Sequence, residues 1–210
     1  ILDVKKLPIV DYVIYCLKNE NIKISNDYFS QFKKLLKQFK FKPKILFTSS
    51  GAVYGKNSKK RKVLENKIID INDLNNFKGY KKEYAKEKLF LEKKFKDLAA
   101  ENYNVSIARC FTFIGKNIIK CNYAISDLIN AANNNSKITL NSHINVFRSY
   151  MHSDDLSNWL ITILKNSNSK CPVYNVGSNQ AVNLKDLTKK IGIMTNKKTL
   201  IKIKKTNKFD

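Results

Sequence analysis

Two periods of apolar positions run through the chain. Tyr12–Cys16, Ile45–Thr48, Val105–Cys110 and residues 173–176 are short apolar runs bounded by polar residues, the mark of strands buried on both faces. Between them the apolar residues change to helical spacing. Phe29, Phe32, Leu35, Leu36 and Phe39 share one face of a helix that Ser25 is placed to cap and Pro43 to stop. A longer helix is predicted from about Tyr80 to Glu101, with others near 122–134, 154–165 and 183–195. Short strands fit 137–140, 146–150 and 200–203, and residues 55–79 read as a polar loop with the basic run Lys59–Lys62. Repeated β-α-β alternation, without internal repeats or a flexible linker, predicts an α/β fold: a doubly wound parallel sheet with helices on both faces. Ligands of such sheets bind beyond the carboxyl ends of the strands, so chemistry is expected in the residues directly after each strand.

Length and composition narrow this picture. The 210 residues suit one domain or a domain and a half, and 43% hydrophobic residues are enough for a core. No stretch approaches 18 uncharged apolar residues, so no membrane insertion is expected. Residues 1–18 do not read as a signal peptide, because Asp3, Lys5, Lys6 and Asp11 interrupt every apolar run. Cys16, Cys110, Cys121 and Cys171 are scattered without a C-x-x-C pair, which argues against a zinc site or disulfide framework and for a reducing, cytoplasmic setting. The net charge of +23 raises the question of nucleic acid. Of 40 basic residues, however, only Arg61, Arg109 and Arg148 are arginine, the residue that makes forked phosphate and base contacts, and lysine is spread along the whole chain. The charge therefore reads as solvated surface, with no nucleic-acid partner and room for a small anionic one such as a diphosphate.

Candidate chemistry begins where the strand Ile45–Thr48 runs into Ser49-Ser50-Gly51-Ala52-Val53-Tyr54-Gly55, placing two hydroxyls at a strand's carboxyl end beside a glycine. Downstream, Tyr84 and Lys88 lie four apart on the long helix and so share a face. A phenol with a pKa near ~10 is a poor base at neutral pH, and a nearby ammonium favours the phenolate. A serine hydroxyl opposite them completes a set that can move a proton on or off a hydroxyl while hydride leaves or arrives at carbon. In a chain this rich in Tyr and Lys, the same pair also arises by chance.

Several segments occur together in order. Ser-Ser-Gly-Ala-Val-Tyr-Gly is followed by Tyr84-x-x-x-Lys88 with Glu92 beyond it, preceded by Asp11-Tyr-Val-Ile-Tyr-Cys16, and succeeded by Arg109-Cys-Phe-Thr-Phe-Ile-Gly115, Arg148-Ser-Tyr-Met-His-Ser-Asp-Asp155 and Tyr174-Asn-Val-Gly-Ser178. The set resembles the extended short-chain dehydrogenase/reductase family, and within it the nucleotide-sugar epimerases and dehydratases, over about residues 11–190. The resemblance implies a Rossmann-like sheet, truncated at its N-terminal part, with a small C-terminal substrate-binding portion. On that reading residues 1–115 form a truncated dinucleotide-binding domain, and residues 116–210 supply late Rossmann elements and part of a substrate domain. It implies NAD as cofactor, with NADP open, a nucleotide-diphosphate sugar as substrate, and a homodimer built on the long helix.

Residue roles follow from the same resemblance. Tyr84 is the acid/base; Lys88 lowers its pKa and holds the nicotinamide ribose; Ser50 orders the substrate oxygen; Ser49 and Phe111 line the nicotinamide pocket. Thr112 stands where the family usually has Asn beside the sugar, Asp127 near a substrate-contacting position, and Arg148 where an arginine binds the diphosphate, although a surface ion pair would also suit it. Asp154 and Asp155 are expected to cap a helix, Trp159 and Leu160 to be core, and His143 and His152 to be structural.

One family feature is missing. None of the six glycines (Gly51, Gly55, Gly79, Gly115, Gly177, Gly192) forms the G-x-x-G-x-x-G or G-x-G-x-x-G turn that cradles a pyrophosphate. The expectation is a central fragment of a longer protein, inactive alone and with an unpaired sheet edge; a degenerate, non-catalytic nucleotide- or partner-binding member is the alternative. Relatives that dehydrate or decarboxylate put acids between the catalytic hydroxyl and Val-Tyr-Gly, whereas this chain has Gly51 and Ala52. That favours epimerisation at C4, in sugar or polysaccharide synthesis, with 4-keto reduction, 4,6-dehydration or decarboxylation as alternatives.

Overall fold

A computed structural model describes residues 8–19, 21–59, 63–69, 71–77, 79–116, 124–135, 137–142 and 146–203. The elements run β1 (Tyr12–Tyr15), α1 (Ile22–Leu36), β2 (Lys44–Ser50), two 3₁₀ stretches (Gly51–Lys59 and Ile71–Asn76), α2 (Tyr80–Ala100), β3 (Val105–Cys110), β4 (Phe113–Ile114), α3 (Ala124–Asn134), β5 (Lys137–Ser142), β6 (Phe147–Ser149), β7 (Met151–His152), α4 (Ser153–Lys165), β8 (Val173–Val176), β9 (Ala181–Asn183), α5 (Leu184–Met194) and β10 (Lys198–Ile203). Cys121, His143 and Arg61, with much of the basic run 59–62, lie outside the described residues. The chain divides into two compact units, Ile1–Phe111 with Ser157–Val176, and Thr112–Leu156 with Gly177–Asp210.

The first unit is built on the parallel sheet β1-β2-β3-β8. Its strands are the expected apolar runs: β2 and β3 are buried almost throughout, with Ile45, Leu46, Phe47, Val105, Ile107 and Ala108 wholly inaccessible. At one end of this strand order, β1 exposes Tyr12 and Ile14. Helices α1 and α2 close on an aromatic cluster. Phe95 stacks on Phe47 with centroids 4.6 Å apart and meets Phe29 edge-on at 5.0 Å and Tyr15 at 5.1 Å. These offset and edge-to-face contacts add to the burial of the rings themselves.

Helix α1 starts a turn earlier than the sequence suggested. Asn21 caps it, its side-chain oxygen accepting from the Lys23 and Ile24 amides at 2.9 and 3.3 Å. Ser25 is therefore not the cap but lies inside the helix, 3% exposed, with its hydroxyl donating to Glu87. The loop expected at 55–79 is entered by one 3₁₀ stretch that begins at Gly51 and contains a second, the first kinked at Gly55, whose φ of 57° a side chain tolerates poorly. Trp159, expected in the core, is 51% exposed; it sits on the outer side of α4.

In the second unit α3 and α5 pack with the parallel pair β5–β10 around Leu128, Ala132, Ile138, Leu140 and Leu184. Two small ladders complete it, β4–β7 parallel and β6–β9 antiparallel. Asp154 and Asp155 fall in the first turn of α4, where negative charge meets the positive end of the helix dipole. His152 has a carboxylate partner that the sequence reading did not foresee, Asp154 at 3.6 Å.

The aromatic cluster makes a direct stability test. Phe95→Ala should cost about 3–5 kcal/mol in urea denaturation, whereas Phe41→Ala, at a ring that is 77% exposed, should stay within about 0.5 kcal/mol.

Candidate active site

Successive residues of a strand point to opposite faces, so the two serines at the end of β2 serve different surroundings. Ser49 is 4% exposed, and its hydroxyl donates to Glu92 Oε1 at 2.6 Å. Ser50 is half-buried, and its Oγ accepts from the Ala52 amide at 3.2 Å, turning the chain into the 3₁₀ stretch. Gly51 has no room for a side chain: a Cβ there would lie 2.6 Å from the Phe111 ring. Phe111 in turn stacks near Tyr54, with centroids 6.4 Å apart.

Helix α2 presents Tyr84, Lys88 and Glu92 on one face at four-residue spacing. Lys88 is 3% exposed. Its Nζ donates to the Leu17 carbonyl at 3.0 Å and lies 5.8 Å from the centre of the Tyr84 ring and 5.1 Å from that of Phe47. Burial pulls the Lys88 pKa below the ordinary lysine value, and the charge of Glu87 opposes that pull. The Tyr84 ring lies parallel to Tyr80, centroids 6.0 Å apart, and the Lys18 amine approaches both rings, 4.8 Å from the centre of Tyr80 and 5.6 Å from that of Tyr84. Cys110, which Ser50 faces in the β2–β3 register, also feels Lys88. Burial raises the Cys110 thiol to about 11 and the Lys88 charge works against it, while the bond of the amine to Leu17 ties it to the chain just beyond the carboxyl end of β1. The structure thus brings Tyr84 and Lys88 together, with Ser50 at the end of the neighbouring strand.

Behind this face runs a polar network that the sequence reading did not assign. Arg109, 3% exposed on β3, grips Glu92 with two bonds, Nε to Oε1 at 2.9 Å and Nη2 to Oε2 at 2.7 Å. Its Nη1 donates to the Tyr54 hydroxyl at 2.7 Å, which donates on to Asn175 Oδ1 at 2.8 Å. Burial alone would lower the Arg109 pKa, but the hydrogen bonds and charge of Glu92 raise it above the usual guanidinium value. The signal for this network was an arginine inside an otherwise apolar strand run and a glutamate on the apolar stripe of a helix, because a buried polar residue is more informative than a buried apolar one.

The remaining candidates lie in the second unit. Thr112 is half-buried, and its carbonyl accepts from the Met151 amide at 3.2 Å. Asp127 is exposed in the first turn of α3. Arg148 is exposed on β6, opposite Val182; its Nη1 donates to the Phe147 carbonyl at 2.9 Å, and its charge acts on Tyr150, whose pKa burial raises. A concavity of about 210 Å³ in this unit is lined by Ile114, Lys116, Ile125, Ser126 and His152 among others, and Asp127 and Arg148 are not in its wall. Among the described residues no cluster of His, Cys, Asp and Glu could hold a metal, and no helix is long and apolar enough to cross a membrane.

Comparison with known proteins gives this geometry a family. The sequence profile of the NAD dependent epimerase/dehydratase family matches residues 18–177, and the chain belongs to that family, whose cofactor is a nicotinamide dinucleotide. No curated protein matches it. Among solved structures it is similar to a Burkholderia cenocepacia protein described provisionally as an epimerase (19% identity, TM-score 0.76, 93% of this chain and 62% of that one). It is also similar to RMD from Pseudomonas aeruginosa, complexed with NADPH (19%, 0.73, 94% and 70%), and to UDP-N-acetylglucosamine 4-epimerase from Bacillus cereus (18%, 0.70, 92% and 66%). At these identities the likeness is one of fold, and it bears out the Rossmann-like parallel sheet. The chain spans less than two thirds of the Burkholderia protein's length.

The residues present fit one half of the cofactor. The Lys88 ammonium has three donors and gives one to Leu17, leaving capacity for a ribose diol, while a pyrophosphate cradle of closely spaced glycines is not in the sequence.

Two substitutions probe the packing of the site. Glu92→Ala strands a buried guanidinium and should cost about 3–5 kcal/mol, against less than about 1 kcal/mol for Glu101→Ala, which removes the exposed partner of Lys33. Gly51→Ala should cost about 1–3 kcal/mol from overpacking and much less when made in a Phe111→Ala background, a non-additivity read by urea denaturation of the two single variants and the double variant.

Proposed function

We propose that this chain carries the catalytic part of a nucleotide-sugar epimerase acting at C4. The observation that supports it best is the buried Lys88 amine held 5.8 Å from the Tyr84 ring at the carboxyl side of a parallel sheet. In this reading Tyr84, as phenolate, takes the proton of the sugar's C4 hydroxyl while hydride leaves C4. Lys88 stabilises the phenolate by its charge and binds the nicotinamide ribose. A bound nicotinamide would supply the acceptor for that hydride and its donor on the return. Ser50 donates to the oxygen that becomes the 4-ketone, and the sugar turns over within the pocket before C4 is reduced from its other face. Tyr84 then returns the proton to the oxygen, so protons and electrons balance over the cycle.

Gly51 and Phe111 support epimerisation over loss of water. An acid at position 51 would sit beside the ring, but the Phe111 side chain fills that space, and neither Gly51 nor Ala52 can protonate a leaving group. Reduction of a 4-keto sugar needs the same minimal set and is the closest alternative reaction. Phe111 beside the nicotinamide, Thr112 and Asp127 beside the sugar, and Arg148 as a forked partner for the diphosphate complete the proposal. Ser49, with its hydroxyl committed to Glu92, contributes by fixing the strand end beneath the nicotinamide. A homodimer through α2 and a cytoplasmic role in polysaccharide synthesis belong to the same reading.

The test supplies NAD and UDP- or dTDP-hexoses to the full-length protein that carries this chain, since the chain alone is expected to be inactive, and follows C4 configuration by NMR. A C4 epimer is expected, and Tyr84→Phe should lower kcat by about 10²–10⁴-fold. If NAD binds and no common nucleotide sugar yields an epimer, epimerisation is refuted. Tight nucleotide binding without turnover would instead mark a non-catalytic member, the reading that the missing glycine turn favours.

A further inference from the structure

Glu87 is a deeply buried ionisable group to which the chemistry above gives no role. Glu87 is 1% exposed and precedes Lys88 on α2. Its Oε1 accepts from the Ser25 hydroxyl of α1 at 2.9 Å. Its Oε2 is buried without a hydrogen-bond partner, and Lys88 Nζ stands 4.0 Å from it, beyond hydrogen-bond reach but within that of an ion pair. Neighbouring helix residues point about 100° apart, yet both side chains reach the same backbone strip after β1. Lys88 donates to the Leu17 carbonyl, and the Asn19 backbone bonds the Glu87 carboxyl.

We propose that Glu87 is a positioning residue that supplies the buried counter-charge for the Lys88 ammonium, and through it sets the positive charge that Tyr84 faces. The proposal rests on the roles given to Tyr84 and Lys88 above. The Leu17 carbonyl orients the amine but brings no net charge. The other groups around the pair do not replace Glu87: Tyr15 on β1 is neutral, pushed up to about 12 by burial and then by Glu87 itself. Lys18 adds like charge that works against the Lys88 ammonium, and Cys110 on β3 is a thiol held neutral by burial. The exposed Cys16 thiol completes the surroundings of the amine, and Ser25 those of the carboxyl. Burial moves Lys88 down and Glu87 up, each opposed by the other's charge. Full burial can depress a lysine by about 3–5 pH units, and an opposite charge at ~4–6 Å offsets about 1–3 of them. Glu87 thus opposes the loss of charge that burial imposes on the amine beside Tyr84.

The experiment titrates the chain with ¹³C-labelled lysine by NMR, the Lys88 Cε signal being the one that Lys88→Arg removes. Glu87→Gln should lower the Lys88 midpoint by about 1–3 pH units. Glu87→Asp, which keeps the charge but draws it back by one methylene, should lower it by less. Should Glu87→Gln not fold, Glu87→Asp carries the test alone. A Lys88 midpoint that is unchanged or rises in the variant overturns the proposal. In turnover, the alkaline limb of the kcat profile should move down with the midpoint. A shifted midpoint in a protein that epimerises nothing supports Glu87's role and sinks only the reaction proposed above.

Discussion

The fork between Arg109 and Glu92 fixes the rest of the first unit. Isolated in apolar surroundings, each charge would be costly to bury; paired at 2.7 and 2.9 Å, both carboxylate oxygens and three guanidinium nitrogens find partners. Ser49 adds a third bond to the carboxylate from β2, and Tyr54 carries the chain of bonds to Asn175 on β8. One helix, three strands and the 3₁₀ stretch are thereby locked together. The rotation of α2 about its own axis is set at Glu92, and Lys88 and Tyr84, one and two turns earlier on the same face, inherit their direction from it. The amine and phenol are thus aimed by a network that contains neither of them.

The same helix face shows how charge is managed in a dense interior. Apolar rings fill the stripe toward the C-terminal end of α2, around Phe95, while its N-terminal half carries Glu87 and Lys88 and Glu92 follows just past its middle, all three nearly inaccessible. Glu92 is fully satisfied, whereas Glu87 keeps one oxygen unbonded. Satisfied polar groups stiffen a core, and an unsatisfied one stores free energy in the protonation state of its neighbours. One helix thus carries a fully bonded carboxylate and a partly bonded one, five residues apart.

Much of this was legible in the residues. The strands β2, β3 and β8 and the helix α2 are long or strongly patterned, so their apolar periods mark them, and the four-residue spacing of Tyr84, Lys88 and Glu92 puts them on one face by geometry alone. The partners of buried polar groups were not legible: nothing in spacing tells Glu92 to meet Arg109, or Ser25 to leave its capping role for Glu87, because those bonds join elements distant in sequence. Asn21 rather than Ser25 caps α1 because asparagine and serine cap equally well, so local chemistry alone does not choose between positions one turn apart. Trp159 was misplaced because a large apolar side chain on a helix does not by itself declare which side is covered. The two- and three-residue strands β4, β7 and β9 are too short to show a period, and the 3₁₀ stretches hide in polar composition typical of loops.

The close approach of Phe111 to Gly51 ties two positions that are distant in sequence into a single unit of heredity. An acid introduced at 51 alone meets the ring, and a smaller residue at 111 alone opens a void, so either first step toward a different chemistry passes through a less stable chain. Evolutionary drift at this site is therefore epistatic. What constrains position 51 is an aromatic side chain sixty residues away in sequence rather than its own chain neighbours.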